Sequence, residues 1–536
     1  KCGTGNLKRP GSRAACGMSN FDTIIIGAGH NGLAAATRLA QTGQKVLVLE
    51  QGATAGGAIA QSELEPGVFA PRYAHLLMGL GMPEIKTLGL QDHGYTPAVS
   101  DMPTIALCPT GRHVVLQGGT VHYADGTPHP DAAAYQTLTK RLTKFAAGIA
   151  QISRQAPPAL TGGGWRQAVD LGKIGLNMRL QGKDDLREFM RVALSNVYDT
   201  VLDEIADGPL AGVLGFDAIL GGHMGPRAPG TMLSLLTRMR EGAQRSLPKG
   251  GMGALAASFT NAAIAAGVEI RCNSTVFEIS VTEDRVTGVV LQDGSSLTCG
   301  QVLSSLDPKT TMRLSHIRHY DAEMVRRVRH IRTKGAVAKV NLALSEAPKI
   351  SGLDDSLSAA RWVMAPSMDA LELGYNGAKY GRLPDDVIFE AVVPSLSDPS
   401  ITTGNRHVLS AIVQYVPYGL QQGWDSNSNS DLGDRVIAAL DKVAPGLADS
   451  VTAREVISPQ DIEVETGAPG GHWHHGELIA DQMLMMRPAP GMERYALPVS
   501  GLYLCGASAH PGGDVTALPG LNAANAVLAG LKRKAA

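Results

Sequence analysis

The stretch FDTIIIGAGHNGLAAATRLAQTGQKVLVLEQ, from Phe21 to Gln51, decides the fold class of this chain. Its β-branched run from Thr23 to Ile26 predicts a buried strand, and the Ala- and Leu-rich stretch from Leu33 to Gln41 predicts a helix. Gly43 is placed to end that helix, and the stretch from Lys45 to Leu49 predicts a second buried strand, parallel to the first. Together these elements form one βαβ unit, which predicts an α/β fold with a doubly wound parallel sheet at its core.

Three glycines between the first strand and the helix have the spacing G-x-G-x-x-G. Gly27 permits the tight turn, Gly29 lets the backbone approach a pyrophosphate, and Gly32 allows the helix to pack closely on the strand. The pyrophosphate would lie at the helix N-terminus, where free N–H groups and the helix dipole favour an anion. Glu50 follows the second strand directly, where an acid accepts both hydroxyls of an adenosine ribose and disfavours a 2′-phosphate. The stretch therefore predicts a dinucleotide site.

A glycine doublet, Gly56 and Gly57, follows Glu50. Two adjacent glycines are often only a turn. In this order, however, the doublet offers a long cofactor a second stretch of bare backbone, which favours FAD over NAD. No second G-x-G-x-x-G follows a strand and no Cys-x-x-x-x-Cys is present, so neither a separate NADPH domain nor a disulfide reductase centre is indicated.

Composition narrows the classes of partner. The 536 residues are enough for two or three lobes. Lys plus Arg number 48 and Asp plus Glu number 49, so the net charge of −1 gives no field that would attract nucleic acid or an anionic membrane. Aromatic residues make up only 4%, which also argues against a base-stacking surface. We therefore expect no nucleic-acid partner.

The cysteines and the apolar runs bear on location. Six cysteines contain no close pair, which fits a reducing compartment and indicates no zinc site. No apolar run is long enough to cross a bilayer. We expect a cytoplasmic protein, with the mitochondrial matrix as the alternative. Residues 1–17, KCGTGNLKRPGSRAACG, are expected to be a disordered tag or non-native leader, and a mitochondrial presequence is the second interpretation because the stretch is basic and has no acids.

Several motifs, in order along the chain, carry a family resemblance. Besides the N-terminal block and the doublet they are PKGGMGAL (Pro248 to Leu255), VLSSLDP (Val302 to Pro308) and GLYLCGASAHPGG (Gly501 to Gly513). Together they resemble the flavoprotein family of phytoene dehydrogenases and their relatives. Within that family, GHWHHGELIADQMLMMRP (Gly471 to Pro488) is most similar to the branch of pyridine nucleotide-disulfide oxidoreductase domain-containing protein 2. The resemblance runs from about Phe21 to the C-terminus.

The resemblance implies two lobes and a non-covalent FAD. A Rossmann-like FAD-binding lobe of the GR2 type would be built from discontinuous segments, 18–75, 245–310 and 460–536. An inserted α+β substrate lobe would comprise 76–244 and 311–459. Carried onto this chain, the candidate FAD-binding residues are Gly27, Gly29, Gly32, Glu50, Gly56, Gly57, Val276, Gly506, Gly513, Asp514 and Val515. Asp514 stands where the family commonly has another glycine, which puts the path of the flavin end in question.

Three histidines near the C-terminus, His472, His474 and His475, could serve several roles. A metal site needs ligand spacing with a supporting carboxylate, and none is evident, so no metal is predicted. The histidines could equally cap the core or face the flavin or substrate. His475 matches a His-Gly pair of the family, and it is therefore the candidate for accepting a proton during catalysis.

Taken together, the sequence predicts an FAD-dependent oxidoreductase of the dehydrogenase or desaturase kind. It would take a hydride from a C–H bond of an organic, lipophilic substrate. Three alternatives stay open: a flavin amine oxidase, an FAD-dependent saturase or isomerase, and a flavin-holding interaction protein. The electron acceptor is left open among oxygen, a quinone and another protein, and peripheral membrane contact would suit a lipophilic substrate. The low aromatic content predicts an active site walled mainly by aliphatic and Met side chains.

Overall fold

The computed structural model describes residues 20–158 and 183–535, so the predicted leader, 1–17, lies outside the described residues. The strands are β1 (Asn20–Ile26), β2 (Val46–Leu49), β3 (Gln61–Glu65), β4 (Val68–Pro71), β5 (Pro97–Val99), β6 (Thr104–Ala106), β7 (Val114–Gln117), β8 (Thr120–Tyr123), β9 (Leu247–Pro248), β10 (Glu269–Arg271), β11 (Val276–Thr282), β12 (Arg285–Leu291), β13 (Ser296–Ser304), β14 (Val337–Leu344), β15 (Arg361–Met364), β16 (Ile388–Val392), β17 (His407–Gln414), β18 (Val451–Ile457) and β19 (Leu502–Leu504).

Helices connect and cover these strands. The described α-helices are α1 (His30–Ala40), α2 (Met82–Leu88), α3 (Ala132–Ser153), α4 (Lys183–Leu194), α5 (Val197–Leu202), α6 (Pro209–Ile219), α7 (Thr231–Arg238), α8 (Gly251–Ala265), α9 (Pro308–Leu314), α10 (Ala322–Arg329), α11 (Met368–Lys379), α12 (Pro394–Ser397), α13 (Ser426–Asp441), α14 (Leu447–Ser450), α15 (Pro459–Thr466) and α16 (Leu518–Ala535). Among the residues described, no helix combines the length and the apolar character needed to span a membrane.

The first sheet has the order β10-β2-β1-β13-β12-β11, and β19 also pairs with β13. β10, β2, β1, β13 and β19 are parallel, whereas β12 and β11 continue the sheet as an antiparallel meander. β1 and β2 pair in register from Thr23 with Val46 to Ile26 with Leu49, and α1 connects them. The predicted βαβ unit and the predicted α/β class are therefore confirmed.

One long strand, β13, organises the first sheet. From Thr298 to Ser304 it pairs with β1 on one edge. On the other edge its first half pairs with β12, where Gly288 faces Thr298, and its second half pairs with β19, where Val302 faces Leu502. The sheet thus joins chain stretches 20–49, 269–304 and 502–504.

The second sheet has the order β18-β14-β17-β16-β15-β6-β7-β8. Its strands are antiparallel except for the pair β15 and β6. Buried side chains cover both of its faces: α3, α6 and α7 contribute to one core, and α13 contributes to the other. All of its strands lie in chain stretches between those of the first sheet.

Two stretches assigned by sequence to the substrate lobe pack with the first sheet instead. Ile85 and Leu88, on α2, belong to the core around β1 and β2. Met312 and Val328, on α9 and α10, belong to that same core. The apolar side chains of these short helices cover the first sheet, so the core does not change at the predicted limits of 76 and 311.

A second difference concerns WDSNSNS, residues Trp424 to Ser430, whose composition predicts a loop. α13 begins inside it, at Ser426. Asp425 is the N-cap, and its carboxylate accepts a hydrogen bond from the backbone N–H of Ser428 at 2.8 Å. Ser, Asn and Asp are typical of helix starts as well as of loops, which explains the wrong prediction. The Pro- and Gly-rich stretch QAPPALTGGG, Gln155 to Gly164, also predicts a loop, and its residues 159–164 lie outside the described residues.

Candidate functional site

The first glycine motif forms a tight turn between β1 and α1. Gly27 has a φ of +94°, a conformation that favours glycine. A Cβ at Gly32 would lie 2.1 Å from the carbonyl oxygen of Gly27, so only glycine lets α1 start this close to the strand. A Cβ at Gly29, in contrast, would meet no atom within 4 Å. Gly29 is also the N-cap of α1 and makes no side-chain cap bond, so the free N–H groups of the helix start face open space.

The glycine doublet packs against that turn. The Gly56 N–H donates to the Ala28 carbonyl at 2.9 Å, and a Cβ at Gly57 would lie 3.0 Å from the Cα of Gly29. The structure therefore brings together the two glycine motifs that the sequence singled out, and together they form one wall of bare backbone.

Glu50 lies at the end of β2 beside this wall. Its carboxylate accepts hydrogen bonds from the backbone N–H groups of Ala28, at 2.7 Å, and Gly52, at 2.8 Å. A carboxylate has about four acceptor positions, so two remain for the hydroxyls of a ribose. The two backbone bonds hold the side chain at the end of the glycine turn, as a ribose-binding acid requires.

These residues line a cleft of about 460 Å³, which we call the dinucleotide cleft. Its volume falls within the roughly 300–1,000 Å³ that is usual for cofactor sites. The predicted residues on its lining are Gly27, Gly29, Gly32, Glu50, Gly57, Val276, His475 and Gly506. Gly506 follows β19, and a Cβ there would lie 2.0 Å from the carbonyl oxygen of Ser305, so the chain passes close to the end of β13.

A second cavity of about 90 Å³, here named the adjoining cavity, lies beside the cleft. The two share His30, Ala58, Tyr73, Trp473 and Ala507 as lining residues. The adjoining cavity is lined by these five and by Ala74, His75, Leu76, Met78, Leu220, Arg238, Glu390, Ile412, His474, Asp514 and Val515. The second sheet contributes Glu390 and Ile412, and α1, the helix that connects β1 and β2 of the first sheet, contributes His30.

The C-terminal candidates divide between several places. Asp514 and Val515 line the adjoining cavity and not the dinucleotide cleft. Gly513 packs against Leu478, whose Cδ1 would lie 2.9 Å from a Cβ at that position. Gly56 is hydrogen-bonded to the Ala28 carbonyl and packs near Ala256, and it is not among the residues that line the cleft. The FAD-binding roles of these residues stay predictions.

The walls of the adjoining cavity are mixed. Leu76, Met78 and Ile412 provide aliphatic and thioether surface, as the low aromatic content predicts. Tyr73 and Trp473 also lie on the wall, at the boundary with the dinucleotide cleft. Composition predicts a wall made mainly of aliphatic and Met side chains, and it gives the number of aromatic residues but not the positions of Tyr73 and Trp473.

Buried charges stand behind this cavity, and sequence reasoning missed them. Glu390 accepts from Arg361 Nε at 2.6 Å, and its other oxygen lies 3.1 Å from His75 Nε2. Asp217 contacts both Arg361 and Arg245. Burial by itself would raise the pKa of Glu390, but the Arg361 guanidinium holds that pKa well below its ordinary value. These residues are far apart in sequence, so no local pattern could have predicted the cluster.

The neighbouring histidines His474 and His475 line different spaces. His475 lines the dinucleotide cleft, whereas His474 lines the adjoining cavity. Nδ1 of each is buried without a hydrogen-bond partner among the described residues. Burial, together with the guanidiniums of Arg487 and Arg238, holds the pKa of His474 well below its ordinary value, so its ring is neutral. Across residues 20–158 and 183–535, no three or more His, Cys, Asp or Glu side chains gather as metal ligands.

Arg487 holds the histidine segment in place. Its guanidinium donates to the carbonyls of His474 at 2.6 Å, Glu477 at 3.2 Å, Gln482 at 3.0 Å and Ala507 at 3.1 Å. Burial lowers the pKa of Arg487 to about 9. This one side chain ties the segment that bears His474 to the strand end at Gly506, and an isolated Arg before Pro488 carries no sequence signal for such a role.

The described residues fit an FAD. The uncapped start of α1 and the open position at Gly29 suit a pyrophosphate, and Glu50 suits the ribose. The unpartnered Nδ1 of His475 gives the cleft a further polar contact. A Rossmann-type sheet with this cleft, beside a cavity that the second sheet helps to line, defines an FAD-dependent oxidoreductase.

Comparison with known proteins gives the family. The family model for flavin containing amine oxidoreductase matches residues 32–528, and the chain belongs to this family. The chain is 31% identical to pyridine nucleotide-disulfide oxidoreductase domain-containing protein 2 of Rattus norvegicus, over 96% of this chain and 95% of the relative. It is 25% identical to the lycopene-forming phytoene desaturase of Pantoea ananas, over 95% and 98%. The resemblance to phytoene dehydrogenases and the predicted branch are thus confirmed.

A solved structure supports the fold. The structure of wild-type putrescine oxidase bound to putrescine aligns with a TM-score of 0.60 at 15% identity, and it covers 96% of this chain and 99% of that one. The shared fold confirms the Rossmann-like lobe with an inserted α+β lobe. Membership of the family of flavin containing amine oxidoreductases confirms FAD as the cofactor.

Proposed function

We propose that the protein oxidises an organic substrate with an apolar body by removing a hydride from a C–H bond, and that the reacting end of the substrate lies in the adjoining cavity. The observation that carries this proposal is the shared wall of cavity and cleft, formed by His30, Tyr73 and Trp473 among others. FAD, when bound, supplies the hydride acceptor. A substrate in the cavity would therefore meet the cofactor across this shared wall.

The character of the cavity supports a lipophilic substrate. Leu76, Leu220 and Ile412 present aliphatic surface, and Met78 adds an adaptable thioether. A substrate that fills this space would displace water from around the reacting carbon, which favours transfer of a hydride to the flavin over side reactions with solvent. The Pantoea relative is named as a desaturase that forms lycopene from phytoene, and a desaturation of this kind removes hydrogen from C–H bonds, as proposed here.

A proton must leave the substrate when a hydride leaves a neighbouring carbon. His474 is placed to accept it, because its ring is neutral and its unpartnered Nδ1 belongs to a residue that lines the cavity. His475, the residue that the sequence suggests, lies on the cleft side and is the alternative. The carbonyl of His474, held by Arg487, fixes the position of this residue.

Anaerobic reduction of the bound FAD tests the proposal. The purified holoprotein is mixed without oxygen with a panel of lipids, carotenoids and amines, and the loss of oxidised-flavin absorption is followed. We expect reduction by at least one lipophilic compound, and a slower rate after His474→Ala than after His475→Ala. FAD that stays oxidised with every compound, while one protein co-purifies reproducibly, would instead support the flavin-holding interaction protein.

A flavin amine oxidase is the second candidate. Tyr73 and Trp473 stand where the cavity meets the cleft, and aromatic faces can hold a substrate cation. Release of hydrogen peroxide on an amine panel distinguishes this function. A saturase or isomerase would turn over only after prior reduction of FAD.

Location and electron acceptor belong to the proposal as well. Cys108, Cys272, Cys299 and Cys505 are free thiols, which supports a reducing compartment such as the cytoplasm, with the mitochondrial matrix as the alternative. Oxygen, a quinone or another protein would reoxidise the cofactor. Steady-state assays with each acceptor distinguish them.

A further inference from the structure

Arg238 lies on the wall of the adjoining cavity, and its N–H donors have almost no acceptors. It is the last residue of α7, and its side chain is only 10% exposed. Its Nη2 contacts the Met78 sulfur at 3.2 Å, and its Nε is buried without a partner among the described residues. A buried guanidinium normally has its donors satisfied by oxygen acceptors, so an acceptor is missing here.

Asp514 is the nearest carboxylate, and two arginines compete for it. One of its oxygens lies 3.7 Å from Arg238 Nη1, and the other lies 3.6 Å from Arg240 Nη2. Both distances exceed a good hydrogen bond. Nε, Nη1 and Nη2 of Arg240 are all buried and have no hydrogen-bond partner in the described part of the chain. A single carboxylate thus stands between two guanidiniums and satisfies neither.

The other carboxylate on the cavity wall is already engaged. Glu390 is held by Arg361 and contacts His75. Asp217, behind the wall, is bound by Arg361 and Arg245. Neither is therefore free to serve Arg238.

The groups around His474 also bear on the ligand that this cavity would accept. Burial is the main cause of the low pKa of this histidine, and the guanidiniums of Arg487, Arg238 and Arg240 lower that pKa further. These groups make this side of the cavity positive. Positive groups with unpartnered donors favour an anionic oxygen ligand.

We infer that the adjoining cavity takes an organic acid, whose carboxylate binds Arg238 while Asp514 closes onto Arg240. In this arrangement the substrate supplies the acceptor that Arg238 lacks, and Asp514 serves one arginine instead of two. The inference rests on the proposed function, because it names the chemical class of the compound that is oxidised.

Shape and size favour a carboxylate with a short apolar body at this end. The planar fork of a guanidinium matches the two oxygens of a carboxylate, which an amine or a hydrocarbon lacks. The cavity volume of about 90 Å³ corresponds to roughly six to nine water-sized positions. Hexanoate is therefore a suitable probe, with hexanamide and hexylamine as matched neutral and cationic compounds.

The test is a calorimetric titration of oxidised holoprotein with each probe. We expect hexanoate to bind at least about tenfold more tightly than hexanamide, and hexylamine to bind more weakly still. Arg238→Met should weaken hexanoate binding by about tenfold or more, whereas Arg326→Met, a substitution at a side chain that is 67% exposed, should leave it unchanged. Asp514→Asn removes the competing carboxylate and should tighten hexanoate binding.

Each outcome separates the inference from the proposed function. Equal binding of hexanoate and hexanamide to the unsubstituted protein, or weaker hexanoate binding after Asp514→Asn with FAD content unchanged, would overturn the acid site. Loss of FAD itself from Arg238→Met would mean that Arg238 serves the cofactor, and this result also overturns it. Reduction of FAD by a neutral lipid, without binding of hexanoate, would support the proposed function and overturn the acid site. Binding of hexanoate that depends on Arg238, without reduction of FAD by any acid, would support the acid site and contradict the proposed function.

Discussion

Gly29 and Gly32 lie three residues apart at the start of α1, yet a methyl group would meet different surroundings at each. At Gly29 it would point into the open dinucleotide cleft, and at Gly32 it would strike the Gly27 carbonyl at 2.1 Å. In the same motif, Gly29 therefore leaves space for the cofactor, whereas Gly32 allows α1 to pack closely against the turn at Gly27.

This difference predicts opposite phenotypes for two alanine variants. Gly29→Ala should fold, because its φ of −69° suits any residue, but should bind FAD at least about tenfold more weakly. Gly32→Ala should lower the thermal stability of the protein even without FAD, because the backbone must shift. Flavin absorption per mole of protein and thermal unfolding of both apoproteins check the prediction. Full FAD retention in Gly29→Ala would contradict the placement of the pyrophosphate at this helix.

Among the elements, the segment between α15 and β19 has little regular structure and depends on Arg487. The Arg487 side chain is 1% exposed. Its N–H groups donate to the carbonyls of Glu477 and Gln482, within the segment, and to the carbonyl of Ala507, which follows β19. Several buried carbonyls would lose their donor together if this guanidinium were removed.

Arg487→Met should therefore lower the free energy of unfolding by at least about 3 kcal/mol and disturb His474. Arg332→Met is the matched control, since Arg332 pairs with Asp481 of the same segment through a side chain that is 45% exposed. Its removal should cost less than about 1 kcal/mol. Denaturant unfolding of the three proteins measures both values, and similar losses for the two variants would show that Arg487 is not the residue that holds the segment.

Elements with a local pattern were predictable from the sequence, and the cavity was not. The βαβ unit and the hairpin of β12 and β13 follow from apolar periodicity and turn residues. The N-terminal turn of α13 was not predictable in this way, because residue types such as those of Asp425 and Ser428 are common in loops as well as at helix starts. Arg238 and Asp514 approach each other only through the packing of α7 against the C-terminal turn, and no sequence period records that contact.

For the whole molecule, the buried histidines make stability depend on pH. Burial lowers the pKa of His30 to about 4, and it also lowers the pKa values of His472, His474 and His510. In the unfolded chain these groups titrate near the ordinary value of 6.5. Below that pH the unfolded state binds more protons than the folded state, so stability is fully present above 6.5 and falls as the pH drops toward 4.

Thermal unfolding of the holoprotein across this range should thus show a falling midpoint below pH 6.5. His30→Gln, which cannot titrate, should make the fall shallower. The carboxylate of Glu390 makes stability depend on pH only as the pH falls below its ordinary pKa of 4.5. Burial raises the pKa values of Glu241 and Glu477, which opposes the fall in the upper part of the range, so the difference between the unsubstituted protein and His30→Gln reports on the histidine. The same change of midpoint in both proteins down to pH 4.5 would contradict the neutral, buried state of the His30 ring.

The pairing of β13 with β19 has a consequence for biosynthesis. During translation the ribosome delivers β1, β2 and β13 long before β19, the last described strand, and α16, whose Gly520 packs directly against the Asn31 carbonyl of α1. Until then half of one β13 edge and one face of α1 lack their partners, and unpaired edges of this kind are prone to aggregation. Among the described residues, the lobe that holds the cofactor is therefore completed later than the second sheet, whose strands all precede β19 in the chain.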